Sequence, residues 1–526
     1  MCSSELRLRA TQNPSQWRFT WEAQSHIPIL RLYLFNPNFK PAAACTHLRV
    51  DANLEQYLLS VCFIENDAES QLETSLRVPI PRVLVDSESP IHSRVLDDHV
   101  EVRLALLLPV DHPLGSNFDS AIGSPEKQEC NGGNFASDEA NLLSTGFDLQ
   151  RLSAAGEVHF YCRSCSTKLT KGISTFKEMP SVHWRDVADN WFGTCCCSFG
   201  GISEKLVLKY AKSYSSASGL CLLSETSVVI SKYDFLEGEF INISKVKKFD
   251  PDIISDTYLN IPVGNENDQH RNLGGDSHCE VQAINKSAHV NCCTIDSCEN
   301  SLGQYETSVD LELQVDQNIF LNGYLGDVFM ARPSNLSKDI EWTEFFCPKC
   351  ACLLGAYPRR NEHGPLDGGV RLYKFYISTS LSANGAHDLF RNYSFERMFT
   401  RQLLESANDE LSFRTVVRDL QNHHHSLQIV LLNPNIWSHA GFCLPAIEPV
   451  PKIIVYPVIK VLFSPNINDV QLEPRNVEWV TKKQAQEVYL LPSQIKELIA
   501  NLEKARSTYP PSHKFSQGFS VSSLKT

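Results

Sequence analysis

Two Cys-x-x-Cys pairs carry the clearest chemistry in this sequence, Cys162-Arg-Ser-Cys165 and Cys347-Pro-Lys-Cys350. A two-residue gap lets both thiolates of a tight turn face one ion, and two such turns complete a tetrahedral four-sulfur site of the kind that suits zinc. Each pair follows an aromatic-rich segment and precedes a glycine, Gly172 or Gly355, expected to reverse the chain. The alternatives are two separate incomplete sites or ordinary buried cysteines. A thioredoxin-like redox pair fits less well, because neither motif sits between a clear strand and a long helix.

A third cluster, Cys195-Cys196-Cys197, follows a helix expected over residues 182–192 and precedes Gly200-Gly201. Three adjacent cysteines on a tight turn expose at least one thiol, and a thiolate is the nucleophile that accepts an acyl group from a thioester. Cys196 is the candidate, with Cys195, Cys197 and the distant Cys443 as alternatives; the competing reading is a run of small apolar core residues. Phe442 and Leu444 give Cys443 an apolar setting that raises a thiol pKa. His159 and His183 are near enough in sequence to help either role of the cluster. Cys292, Cys293 and Cys298, with His289, fall in a low-complexity stretch and read as surface thiols. His423-His424-His425 reads as a turn, and Gly364 to Gly369 lacks the lysine of a phosphate loop.

The elements that position these groups read as an α+β, β-rich chain. An N-terminal β-sandwich over residues 1–110 is expected from short strands at Trp17–Trp21, Ile29–Phe35, Tyr57–Ile64, Ser75–Ile80 and His99–Leu107. A linker follows over 111–155, then the first knuckle and cysteine cluster over 156–249, and a Ser/Asn/Gly-rich insertion over 250–310. Residues 311–507 hold the second knuckle and a mixed block with C-terminal helices. Its strands are expected at Val370–Ser378, Ser426–Leu432 and Ile453–Phe463, the last an edge strand or bulge because of Pro457. One amphipathic helix is expected over Ser394–Ser406, and a closing helix is capped by Ser493 and carries Ile495, Leu498, Ile499 and Leu502. Residues 508–526 read as a frayed tail.

Composition removes whole classes of function. The chain has 526 residues, 42% of them hydrophobic, enough for two or three cores. Its 61 acidic residues outnumber 48 basic ones for a net charge of -13, which disfavours a general nucleic-acid binder. Residues 1–12 contain no apolar core of a signal peptide, and Leu104–Val110 is too short to span a bilayer, so an intracellular protein without a membrane partner is expected. In a reducing compartment, 18 cysteines grouped in pairs suggest metal binding or thiol chemistry rather than disulfides.

Five segments, in order, resemble the HECT-like family of ubiquitin-conjugating-enzyme-binding proteins. They are Phe160-Tyr-Cys-Arg-Ser-Cys165, the Trp191 to Cys197 segment, Gly326-Asp327-Val-Phe, Cys347-Pro-Lys-Cys-Ala-Cys-Leu-Leu-Gly355 and Val458-Ile-Lys-Val-Leu-Phe463, spanning residues 155–500. The resemblance implies a ubiquitin-protein ligase whose partners are a ubiquitin-conjugating enzyme, ubiquitin and a protein substrate, in the cytoplasm with the nucleus as a second compartment. Transfer would run through a thioester on the Cys196 region or directly to a target lysine. A true HECT lobe ends with a catalytic cysteine, whereas no cysteine follows Cys443 here. Family members pair two adjacent cysteines with a histidine, where this chain has Cys195-Cys196-Cys197-Ser198. The alternative is a non-catalytic zinc-stabilised adaptor or chaperone for a client, of the mRNA 3′-end processing machinery with which relatives are associated.

Overall fold

The computed structural model describes residues 16–67, 70–114, 143–179, 216–236, 328–333, 336, 340–359, 364–382, 385–465, 482 and 485–526. Strand-forming residues from opposite ends of the chain complete one ten-stranded sheet. Arg18–Gln24, Ile29–Phe35 and Val100–Ala105 pair antiparallel, with His92–Val95 at the edge. On its other side Arg18–Gln24 pairs with His425–Phe442, which is followed in space by Tyr456–Pro465 and Phe519–Lys525. One face of the N-terminal strands is apolar: Trp21, Leu32, Leu34, Val100 and Val102 are buried against Leu59, Val61, Phe63, Leu76 and Val78. The latter belong to a separate three-stranded sheet of Cys45–Asn53, Leu58–Asp67 and Ser70–Pro79.

The opposite face of Arg18–Gln24 carries Thr20 and Glu22, which are also buried. Their cover is the C-terminal segment expected to fray, and this is a correction. Arg18 Nη1 donates to the Ser507 carbonyl (3.2 Å) and Thr20 Oγ1 to that of Thr508 (2.5 Å), while the Ser512 amide and hydroxyl donate to Asp98 (2.6 and 2.9 Å). Beyond this strap, Phe519–Lys525 pairs along Tyr456–Pro465 and buries Val521 and Leu524. Its composition hid the strand because the apolar residues do not alternate: Val521 and Leu524 lie on opposite faces, and Ser522, fully buried beside Leu524, donates its hydroxyl to the Leu502 carbonyl at 2.7 Å. The first 110 residues therefore do not close a sheet by themselves.

A second core is enclosed by a six-stranded sheet, three helices and the C-terminal strands of the ten-stranded sheet. The sheet runs Glu341–Phe346, Leu353–Arg359, Gly369–Tyr373, Ser227–Ser231, Leu220–Leu223 and Thr175–Glu178. Helix α1, Thr145–Ala155, lies where a linker was expected; Ser144 caps it by accepting from the Phe147 amide (3.2 Å), and it buries Asp148 and Leu152. Helix α2, Phe395–Glu410, is capped by Ser394 and buries Phe395, Met398, Phe399 and Leu403 as the periodicity implies. Helix α3, Pro492–Arg506, buries Ile495, Leu498 and Leu502, but Ser493 is not its cap. Pro492 takes the first helical position, where its missing amide costs nothing, and the Ser493 amide donates to Glu344 Oε1 at 2.8 Å.

Two strand boundaries also differ. His425–Phe442 runs for 18 residues through Asn433-Pro434-Asn435, which reads locally as a stop; the strand passes it by shifting register twice. Tyr456–Pro465 is interior rather than an edge. Pro457 is tolerated because it sits at the strand's start, before pairing with Phe519–Lys525 begins at Val458. Among the described residues no helix is long and apolar enough to cross a membrane.

The strap and last strand are structural, so Leu524→Ala should lower stability by about 2–5 kcal/mol, the range for emptying a buried leucine site. Urea unfolding would show it as a lowered midpoint with an unchanged slope.

Candidate metal centre

The two knuckles are built alike. Cys162 ends the short strand Tyr161–Cys162, paired with Ile377–Ser378, and Cys347 follows Glu341–Phe346 at the tip of its hairpin with Leu353–Arg359. In each, the first cysteine's amide donates five residues ahead, to the carbonyl of Thr167 (2.9 Å) or Cys352 (2.8 Å). Its own carbonyl accepts from the amide four residues ahead, Ser166 (2.8 Å) or Ala351 (2.9 Å). Ser166 and Ala351 make the reversal, both at φ 55°. The glycines expected to do so have other work: Gly355 lies inside a strand, where a Cβ would sit 1.8 Å from the Arg371 carbonyl oxygen.

The folded chain brings all four sulfurs of Cys162, Cys165, Cys347 and Cys350 within 4.8 Å of one another. They cross-pair, Cys162 to Cys350 and Cys165 to Cys347, each at 3.6 Å. A disulfide requires about 2.05 Å. A tetrahedral site with metal–sulfur bonds of about 2.3 Å has edges of roughly 3.8 Å, close to the observed separations. The donor set therefore fits a single ion.

Electrostatics agree with that fit. Burial pushes the Cys162 thiol well up and Cys347 up to about 11. At Cys350 burial also opposes the thiolate, but the Cys352 amide and the thiols of Cys165, Cys347 and Cys162 outweigh it and bring the group down to about 6. Four sulfurs this close share protons; a divalent cation in their midst would replace those protons.

Two buried polar clusters hold the first knuckle in place, and neither was anticipated from sequence. Arg163, between the paired cysteines, donates to the carbonyls of Ile377 (3.1 Å), Tyr393 (2.5 Å), Lys374 (3.2 Å) and Phe390 (2.6 Å), with Asp388 Oδ2 at 3.5 Å. Lys374 is 0% exposed, and its Nζ donates to Asp148 Oδ2 at 2.6 Å, which also accepts from the Tyr393 hydroxyl at 2.6 Å. Helix α1 is thereby bound to the segment that Arg163 grips. A lysine inside the run Leu372-Tyr-Lys-Phe-Tyr-Ile377 was the available signal, since a charge flanked by aromatics on both sides must find a partner.

The other candidates are placed differently. Cys443 is only 3% exposed within the N-terminal core, and burial raises its thiol pKa strongly. His159 stands 3.4 Å from Lys168 rather than among the sulfurs. Cys195, Cys196, Cys197 and His183, the helix expected at 182–192, and Cys292, Cys293, Cys298 and His289 lie outside the described residues. His423 makes a turn, at φ 60°, but the turn joins the strands Arg414–Asp419 and His425–Phe442 rather than the expected helix and strand.

Comparison with known families places the whole arrangement. A model of the HECT-like ubiquitin-conjugating enzyme (E2)-binding family matches residues 62–521, a span containing both knuckles, the six-stranded sheet and the three helices. The chain belongs to this family. No curated protein and no solved structure matches it.

Cys162→Ser and Cys347→Ser should each abolish bound metal, since either leaves three sulfurs and breaks one of the two knuckles. Elemental analysis of purified protein would show about one metal ion per wild-type chain and none in the variants. Lys374→Met should cost about 3–5 kcal/mol by stranding the Asp148 carboxylate, and adding Asp148→Leu should recover much of that loss. Thermal unfolding of the single and double variants measures both.

Proposed function

We propose that this chain is a ubiquitin-protein ligase, which binds a ubiquitin-conjugating enzyme and promotes transfer of ubiquitin to a protein substrate in the cytoplasm. The observation that carries the reading is the extent of the match, residues 62–521, to a family defined by binding of such an enzyme. Zinc is the ion assigned to Cys162, Cys165, Cys347 and Cys350, because four thiolates in closed tetrahedral array leave no position for substrate and favour a soft, redox-inert metal. Its role is structural: it joins the hairpin around the first knuckle to the one around the second.

Cys196 remains the proposed acceptor thiol. Cys443 is a poor alternative, being buried and held protonated. The knuckle sulfurs are engaged with one another, and a bound metal would withhold them from a thioester.

A panel of ubiquitin-conjugating enzymes charged with ubiquitin would be mixed with the protein and run on non-reducing gels. A dithiothreitol-sensitive adduct is expected with at least one member, lost in Cys196→Ala while zinc content stays unchanged. Loss of zinc in that variant would make the cluster a ligand instead. Binding of a conjugating enzyme with neither adduct nor substrate modification would favour the adaptor reading.

A further inference from the structure

Three adjacent strands of the ten-stranded sheet present arginines on one face. Arg31 lies directly opposite Arg103, and Arg103 directly opposite His92. Like charges facing each other across a sheet are unfavourable, since their Cβ atoms stand about 4.5–5.5 Å apart. The next register row sets Tyr33 and Arg94 on either side of Glu101.

Glu101 is the organising group. Its side chain is 4% exposed, and it accepts from Arg94 Nε at 2.8 Å through one oxygen and from Arg103 Nε at 2.6 Å through the other. The two guanidinium groups are fixed by one buried carboxylate, Arg94 Nη2 also donating to Glu101 Oε2, yet their side chains stay 58% and 40% exposed. Glu22, opposite Arg31, is engaged by Lys460 Nζ at 2.9 and 3.1 Å. Three guanidinium charges against one carboxylate leave two positive charges uncompensated. Beside Arg94 and Arg103 lies an open cleft of about 320 Å³ lined by His92, Ser93, Arg94, Glu101 and Arg103, with Arg31 one strand further in.

That charge matches a phosphoryl dianion rather than a single carboxylate, and fixed guanidinium forks suit its oxygens. A second feature bears on what carries the phosphoryl group. His92–Val95 ends the sheet, and among the described residues no strand pairs with its outer edge. An extended peptide can add there by main-chain hydrogen bonds while its side chain enters the cleft. The geometry points to a receptor for a phosphorylated side chain on an extended peptide, held by Arg94, Arg103 and Arg31 beside the edge strand. This site is independent of the metal centre and of ubiquitin transfer.

The test uses the full chain and a fluorescent degenerate library of phosphoserine peptides flanked by valine and threonine, its unphosphorylated counterpart, and inorganic phosphate as competitor. The phosphorylated library is expected to bind roughly tenfold or more tightly than the unphosphorylated one, as the loss of charge-assisted hydrogen bonds implies. Arg94→Gln and Arg103→Gln should each remove that difference, and Arg94→Lys should not restore it, because the fork is lost. Unchanged thermal unfolding and metal content in these variants separate a binding defect from a folding one. Equal binding of the two libraries, or a preference that survives both glutamine variants, overturns the proposal. Inorganic phosphate binding as tightly as the best peptide overturns it too, since the edge strand would then contribute nothing.

Discussion

The meeting of two cysteine knuckles that are 182 positions apart is the constraint on which the second core depends. Each knuckle is a hairpin tip with its own hydrogen bonds, so each can form locally. What cannot form locally is their contact, which closes a long loop. Loop-closure entropy grows only logarithmically with length, so an ion that binds four sulfurs at once can readily offset it. Between the knuckles the strands Thr175–Glu178, Leu220–Leu223 and Ser227–Ser231 are themselves held in the six-stranded sheet, so the constraint spans a folded stretch as well as the low-complexity residues 250–310.

Around that contact the protein uses buried charge where an apolar core would give less direction. Arg163 gathers four carbonyls from residues 374–393, which would otherwise need water. Lys374 and Asp148 do the same for helix α1, which carries few apolar residues to hold it. Such pairs add little net stability against an apolar replacement, but they penalise any other docking of the helix severely. The knuckle is therefore seated by groups that tolerate one arrangement.

The cysteines that cluster in the fold were easier to read than the sheets that place them. The Cys-x-x-Cys spacing is a local property, and it identified all four sulfurs without knowledge of the fold. Helix α2 was legible for the same reason, its apolar face and Ser394 cap being contained in one stretch. The strap over Thr20 and Glu22 was not, because residues 507–513 contact residues nearly 490 positions earlier through backbone carbonyls that any sequence possesses. Pro457 misled for a related cause: a proline is judged by its neighbours in sequence, whereas its cost depends on whether a strand lies opposite its missing amide.

The same distinction bears on the nucleophile. A thiol that accepts ubiquitin must be reachable and partly ionised, and these conditions conflict with the packing that makes a cysteine easy to place in a fold. Cys443 illustrates the conflict: its amide donates to the Trp17 carbonyl at 2.9 Å, so it helps join the two ends of the chain, and the burial that this joint requires suppresses its thiolate. The knuckle cysteines are committed in another way, each sulfur facing three others. Both sets are structural for physical reasons that the sequence pattern alone does not distinguish from catalysis. The transferring thiol proposed above has to come from a segment whose cysteines neither staple two hairpins nor fill a core, and on the reading of the Cys195–Cys197 triplet as an exposed turn Cys196 is the proposed residue.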